Sequence, residues 1–148
     1  MPLDTTAAGK TYEPKTYAVG REKVREYANA VGESNPVHLD VEAARAAGYA
    51  DVVAPPMFAV VYCGRAITPA LFDPDVGIDF PNMLHAGQEF AWGALVVAGD
   101  EITTTTTVKG ISERSSMRFY EFETESRNAQ GEPVCTGVWR QIVRGAPS

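Results

Sequence analysis

Apolar residues recur at helical spacing in the first half of the chain. Between residues 21 and 31 they occupy positions i, i+3, i+4 and i+7, namely Val24, Tyr27, Ala28 and Val31. This spacing predicts an amphipathic helix that begins at Arg21, with Gly32 at its C-terminus in a positive-φ conformation. A short edge strand, broken by Pro14, is predicted before it over residues 11–19.

A second and a third helix follow in the pattern. Asp40 is suited to cap a short helix over residues 41–47, and Gly48 closes it. Two prolines, Pro55 and Pro56, then precede a segment from Met57 to Leu71 that is apolar on nearly every side. Because proline is favoured where a helix starts, this segment is predicted to be a helix surrounded by the rest of the protein.

From Leu84 onward the composition is that of β-strands. Four strands are predicted, over Leu84–Trp92, Glu101–Lys109, Met117–Arg127 and Pro133–Val143, with a turn around residues 112–116. Their short connections favour antiparallel neighbours. Residues 103–107 are all threonine, which predicts a strand of modest burial. An antiparallel sheet after one apolar helix indicates an α+β fold in which the sheet curls around that helix.

Length and composition suit one domain, spanning residues 1–148. The chain is 45% apolar and 22% charged, and it has no run of 18 apolar residues that would cross a membrane. The N-terminus lacks the pattern of a signal peptide, and two cysteines, Cys63 and Cys135, are too few for a disulfide framework. A cytoplasmic protein with both thiols packed in the core is therefore expected. The net charge of −6 argues against nucleic-acid binding.

Candidate chemistry is concentrated between the first two helices. Glu33 and His38 lie five positions apart, on a loop that Pro36 prevents from being helical. A carboxylate and an imidazole on a loop are suited to proton transfer. The residues alone leave a second interpretation open, in which Asn35-Pro36 is a turn, Glu33 a solvated acid and His38 a partner of the local backbone.

This stretch resembles a known motif. Aromatic and small residues precede it, at Tyr27, Ala28, Ala30 and Val31, and the chain continues Gly32-Glu33-Ser34-Asn35-Pro36-Val37-His38. The pattern is similar to the Gly-Asp-x-Asn-Pro-x-His motif of the MaoC-like (R)-specific enoyl-thioester hydratases and dehydratases, with glutamate in place of the aspartate. The segments 54–58 and 97–100 also resemble this family, nearest to its N-terminal dehydratase branch.

The resemblance implies a hot-dog fold, in which a curled antiparallel sheet wraps around a long central apolar helix. It implies reversible hydration of trans-2-enoyl thioesters to (R)-3-hydroxyacyl thioesters, without a metal or other cofactor. Glu33 and His38 are then the catalytic pair that activates one water. The implied substrate-binding residues are Asn35, Pro56, Met57 and Phe58.

The implied partners are an acyl-CoA or acyl-carrier-protein thioester and a second hot-dog chain, in a homodimer or a heterodimer. The helix start at Pro56-Met57 could offer the N–H of Met57 or Phe58 to the thioester oxygen. Family hydratases have a glycine where Pro56 stands, and proline has no N–H, so the site for this oxygen is expected to be shifted, weakened or absent. A non-catalytic subunit that shapes an acyl groove beside a catalytic chain is the alternative. A hot-dog thioesterase ranks last, since it would lack the Asn-Pro-x-His frame.

Other residues are assigned plainer roles. His85 is expected to be a surface or dimer-contact residue rather than a second catalytic histidine. Four arginines, Arg114, Arg118, Arg140 and Arg144, suit either the phosphates of coenzyme A, the acidic face of acyl carrier protein or a solvated sheet edge. Three aromatic residues, Phe90, Trp92 and Trp139, are expected in the core rather than in an acyl pocket.

Overall fold

Alternating side chains in the second half of the chain build one antiparallel sheet. The computed structural model describes residues 3–145. Its strands are β1 (Lys15–Ala18), β2 (Met83–Trp92), β3 (Glu101–Arg114), β4 (Met117–Arg127) and β5 (Pro133–Arg144). They lie in the order β1-β3-β4-β5-β2, so β1 and β2 form the two edges. The predicted α+β class is confirmed.

Three α-helices accompany the sheet, α1 (Arg21–Ala30), α2 (Val41–Ala46) and α3 (Ala59–Leu71). Gly32 adopts a φ of +77° after α1, and the Asp40 carboxylate accepts the N–H of Glu42 at 3.0 Å, so both predicted helix ends are confirmed. The predicted helix at Met57 begins differently, because a 3-10 turn over Pro56–Phe58 precedes α3. Within residues 3–145 no helix is long and apolar enough to cross a membrane.

Helix α3 packs one face against the inner surface of the sheet. Its buried residues follow the spacing i, i+3, i+4, i+7, i+8 and i+11, and they are Ala59, Tyr62, Cys63, Ala66, Ile67 and Ala70. The prediction that the chain surrounds this helix was wrong, since Arg65 and Thr68 are exposed on its other side. Small residues on the buried face let the helix approach the strands closely, and the remaining apolar side chains are only partly covered.

The threonine-rich strand is buried more deeply than predicted. Ile102, Thr104, Thr106 and Val108 face α3 from β3 with at most 1% of their surface exposed. The prediction of modest burial was wrong. A hydroxyl can be buried when it has a hydrogen-bond partner, as that of Thr104 does, whereas the Thr106 hydroxyl is buried without one. The hydroxyls of Thr104 and Ser126 share a hydrogen bond at 2.7 Å, and the Cys63 thiol lies 3.5 Å from the same serine oxygen.

Strand boundaries differ from the prediction mainly in β1 and β3. Strand β1 covers four residues only, with Thr11 as an isolated bridge to β3, because Pro14 interrupts the pairing. Strand β3 extends to Arg114, where a turn around residues 112–116 was predicted. The actual turn is the pair Ser115-Ser116, with φ of 53° and 63°, as in a two-residue hairpin. Strands β2 and β5 each gain one residue.

An ionic latch joins the N-terminal segment to the loop after α3. The Asp73 carboxylate accepts hydrogen bonds from the Lys10 ammonium at 2.6 Å and the Tyr12 hydroxyl at 2.7 Å. These two donors lower the pKa of Asp73 to about 2. The neighbouring Asp75 is more exposed and contacts the same ammonium at 3.1 Å.

We expect Asp73→Asn to lower the free energy of unfolding at neutral pH by about 1–2 kcal/mol, because a partly buried tyrosine hydroxyl and an ammonium lose a charged acceptor. The pKa of Asp73 is depressed in the fold, so its stabilisation is present above the unfolded pKa of 3.8 and is lost as the pH falls towards 2. Urea unfolding at stepped pH should show the gap from wild type closing below about pH 4. Asp75→Asn is the control. An equal loss of unfolding free energy in both variants would contradict a specific role for Asp73.

Candidate functional site

The site loop begins where α1 ends. Gly32 turns the chain with a positive φ, and the N–H of Glu33 donates to the carbonyl of Ala28 at 2.8 Å. This bond is typical of helices that end at a glycine and fixes the position of the next residue. Glu33 therefore leaves α1 in a defined direction, although its carboxylate lies near the surface.

Asn35 and Pro36 shape the next turn. The Asn35 side chain accepts the N–H of Val37 at 3.2 Å, and Pro36 opens a 3-10 turn that ends at His38. A proline is favoured in the first position because no intrahelical acceptor awaits its missing N–H. The asparagine thus orients the backbone that carries His38.

Val53 holds His38 in place through two contacts. The N–H of Val53 donates to the carbonyl of Val37 at 2.8 Å, and the Nδ1 atom of His38 lies 2.6 Å from the carbonyl oxygen of Val53. A carbonyl oxygen only accepts, so Nδ1 carries the proton of the neutral ring. The lone pair of His38 is therefore on Nε2.

The Nε2 atom of His38 faces the carboxylate of Glu33. Oε2 of Glu33 is 4.0 Å away, and the side chains are 12% exposed for His38 and 37% for Glu33. This separation is too long for a direct hydrogen bond. It matches two acceptors that share one water, each at about 2.8 Å from the water oxygen. The structure thus brings together the two residues that the sequence predicted as a pair.

The segment from Val53 leads directly into the start of α3. Phe58 is fully buried, its ring packs edge-on against Tyr27, and its N–H donates to the carbonyl of Pro55 at 2.8 Å. Phe58 therefore contributes packing, and its N–H is already engaged. Because Pro56 has no N–H, the N–H of Met57 is the remaining candidate donor at this helix start.

Two residues of this region escaped prediction from the sequence. Val53 acts through its backbone, which no side-chain motif reveals. Trp92, expected in the core, is 52% exposed at the end of β2, and its indole N–H donates to the carbonyl of Pro56 at 3.0 Å. The prediction for Trp92 was wrong because β2 is an edge strand, and its last residue extends past the sheet to the start of α3.

Other predicted candidates lie away from the loop. His85 is exposed on β2, and its Nδ1 lies 3.1 Å from the Nε2 of Gln141 rather than beside Glu33 or His38. Arg118 and Arg140 form ion pairs with acidic neighbours on their own sheet. Arg114 lies over the ring of Phe119, and Arg144 is exposed at the end of β5. Trp139 is buried, and Phe90 is partly buried beside it.

A known family matches most of the chain. The family model described as the FAS1-like, dehydratase domain region covers residues 6–137. The chain belongs to this FAS1-like dehydratase family. A UPF0336 protein of Saccharopolyspora erythraea is 42% identical over 146 residues, which are 98% of this chain and 94% of the relative.

Solved structures place this FAS1-like dehydratase domain among hot-dog folds. The HadBC (3R)-hydroxyacyl-ACP dehydratase complex of Mycobacterium tuberculosis contains a chain 26% identical, with a TM-score of 0.82 over 95% of this chain and 99% of that one. A structure described as a MaoC-like dehydratase is 30% identical, with a TM-score of 0.84 over 95% of this chain and 43% of that longer one. The expected fold and the MaoC-like resemblance are confirmed.

The two histidines of this dehydratase-family chain should show opposite neutral tautomers. His38 is expected to be protonated at Nδ1, because the Val53 carbonyl accepts there. His85 is expected to be protonated at Nε2, because its Nδ1 faces the amide nitrogen of Gln141, which donates. Long-range ¹H–¹⁵N NMR correlations of the neutral rings distinguish the two forms. A His38 ring protonated at Nε2 would contradict the site geometry.

Proposed function

We propose that this chain interconverts trans-2-enoyl thioesters and (R)-3-hydroxyacyl thioesters by adding or removing water. The observation that carries the proposal is the 4.0 Å gap between Glu33 Oε2 and His38 Nε2, with the imidazole fixed by Val53. Two acceptors at that spacing hold one water by both of its protons. Membership of a dehydratase family supports the same reaction class.

In the hydration direction, the water oxygen attacks C3 of the enoyl thioester. One water proton passes to Glu33 as the bond to C3 forms, while His38 Nε2 accepts from the other proton and keeps the oxygen oriented. The electron pair of the C2–C3 double bond moves towards the thioester carbonyl, whose oxygen becomes negative. When that enolate collapses, the proton held by Glu33 passes to C2. Glu33 and His38 then have the protonation states with which they started. Dehydration follows the reverse order.

The negative thioester oxygen needs a donor, and the start of α3 is suited to provide one. The N-terminal end of a helix carries partial positive charge and unpaired N–H groups. With Pro56 lacking an N–H and the N–H of Phe58 bonded to Pro55, we assign this role to the N–H of Met57. Loss of one such donor in other enzymes costs about 10²–10³ in rate, so a single donor here favours modest turnover.

The glutamate in place of the family aspartate is compatible with this chemistry. One added methylene lengthens the side chain by about 1.5 Å. In this chain the longer side chain brings Oε2 to water-sharing distance from His38 rather than into direct contact. We therefore expect Glu33→Asp to widen the gap and to slow the reaction.

Variants of the pair test the reaction. We expect Glu33→Gln and His38→Ala each to lower kcat by about 10²–10⁴, because each removes a proton-transfer group. His85→Ala is the matched control, since this histidine lies away from the loop, and it should keep near wild-type activity. Loss of the enoyl-thioester absorbance on incubation with crotonyl-CoA measures the rate. Equal activity of His38→Ala and the wild type would sink the assignment.

The second candidate function is a non-catalytic subunit, and the observation that favours it is Pro56, which removes one donor at the start of α3. In that role the chain would shape an acyl groove beside a catalytic hot-dog partner. A wild-type chain that shows no turnover alone but raises the activity of a co-purified hot-dog chain would support this function. Turnover by the isolated chain that depends on His38 would exclude it.

We further propose that the chain associates through the free edge of β2. This edge is ten residues long, and Glu89 is its only formally charged residue. The other edge, β1, has four residues and a proline close by. A long, nearly uncharged edge strand readily pairs with another strand. The proposed occupant is a second hot-dog chain, identical or homologous, in antiparallel register.

A lysine in this edge should disrupt the association. Ala86 is exposed on β2, and edge lysines oppose strand pairing, so Ala86→Lys is expected to shift a dimer towards monomer. Ala129→Lys, in the turn between β4 and β5, adds the same charge away from the edge and is the control. Size-exclusion chromatography with light scattering measures the mass. A dimer that is unchanged in Ala86→Lys would contradict pairing through β2.

A further inference from the structure

Arg21 and Asp51 form a two-point ion pair between α1 and the segment that holds His38. The Nε atom of Arg21 donates to Oδ1 of Asp51 at 3.0 Å, and its Nη2 atom donates to Oδ2 at 2.7 Å. Oδ1 of Asp51 also accepts the backbone N–H of Val52 at 2.8 Å. Two parallel bonds between a guanidinium and a carboxylate fix the orientation of the two groups as well as their distance. The first residue of α1 is therefore tied to residue 51 in a defined geometry.

This ion pair closes a circuit of contacts that includes the candidate site. From Arg21 the chain runs along α1 into the loop that carries Glu33 and His38. The imidazole of His38 is bonded to the carbonyl oxygen of Val53 at 2.6 Å, and Asp51 lies two residues before Val53. From Asp51 the contacts return to Arg21. Glu33 and His38 are thus connected to the ion pair in both directions around the circuit.

The segment that contains Asp51 is the fixed side of this circuit, and α1 is the side that can move. The N–H of Ala54 donates to the carbonyl of Val96 at 2.8 Å, which anchors the segment to the turn before β3. Helix α1 has ten residues, and the two that are buried, Val24 and Ala28, lie one turn apart on one line along the helix. A helix that is packed along one line can tilt about that line. The ion pair at its first residue opposes this tilt.

A second ion pair of α1 has no such reach. Arg25 donates to Glu22, three residues away, at 2.8 Å, and the Glu22 side chain is 80% exposed. Asp51 lies thirty residues from Arg21, and its side chain is 16% exposed. The hydrogen bonds from Arg21 lower the pKa of Asp51, so this carboxylate is charged at neutral pH. Both arginine side chains are 45% exposed, which makes Arg25 a matched comparison for Arg21.

We infer that Arg21 and Asp51 are positioning residues, whose ion pair sets the angle of α1 and thereby the distance from Glu33 to His38. This inference rests on the proposed function. A tilt of α1 moves the loop that follows it, and small displacements of a proton-transfer group slow the chemical step strongly. Exposed ion pairs stabilise a fold little, so the main effect of losing this one is on the geometry of the site.

Kinetics of variants of the ion pair test the inference. We expect Arg21→Gln and Asp51→Asn each to lower kcat by about tenfold or more, with KM for crotonyl-CoA changed by less than about twofold. The double variant should be no slower than the slower single variant, because both changes break the same contact. Arg21→Lys keeps the charge without the two-point geometry and should be intermediate. Arg25→Gln is the control and should keep the wild-type kcat. Urea unfolding checks that each variant is folded under the assay conditions.

Exchange of the His38 ring proton with water separates this inference from the proposed reaction. The Nδ1 proton is held by the Val53 carbonyl, and NMR measures its exchange without any substrate. Because His38 lies on the loop that follows α1, its exchange should quicken by about fivefold or more in Arg21→Gln and Asp51→Asn and stay unchanged in Arg25→Gln. This order in a chain that hydrates no thioester would refute the proposed function and support the positioning role. Unchanged exchange in folded Arg21→Gln, or a wild-type kcat in that variant of an active chain, would overturn the inference.

Discussion

The site depends on the way Val53 joins two distant parts of the chain. Its N–H donates to the carbonyl of Val37. Its carbonyl oxygen accepts a hydrogen bond from the ring of His38, fifteen residues earlier in the chain. The next residues, through Pro56, start the helix that packs on the sheet. One backbone unit therefore fixes the loop that carries the pair, the tautomer of the imidazole and the position of the helix start. Both bonds are made by the backbone, so a side-chain substitution at Val53 preserves them only if the backbone around residue 53 does not move.

The helix start shows how one proline changes several interactions at once. Pro56 favours the first turn of a helix, yet it supplies no N–H for a negatively charged oxygen. Its carbonyl accepts hydrogen bonds from the N–H of Ala59 and from the indole N–H of Trp92. The family glycine would give the opposite arrangement, with an added donor and a more flexible backbone. The proline therefore reduces the number of N–H donors at this helix start, while its backbone carbonyl still contacts Trp92.

The sequence predicted the helix starts and ends that depend on interactions between residues close together in the chain. Gly32, Asp40 and the two prolines before α3 end or start helices through bonds within a few residues, so their roles followed from the sequence. Burial depends on partners far along the chain. Thr104 is buried because Ser126 accepts or donates across the sheet, and Trp92 is exposed because β2 lies at an edge. Neither partner is visible in the composition of the strand itself.

The same distinction applies to the candidate pair, Glu33 and His38. Sequence spacing and the motif predicted which residues face each other, since both lie on one short loop. The distance of 4.0 Å between them depends on where Val53 holds the imidazole and on the length of Glu33. An aspartate in the same backbone would be about 1.5 Å shorter and would widen the gap towards the limit at which one water can contact both groups. The position of the Val53 carbonyl and the length of the Glu33 side chain therefore set this distance together.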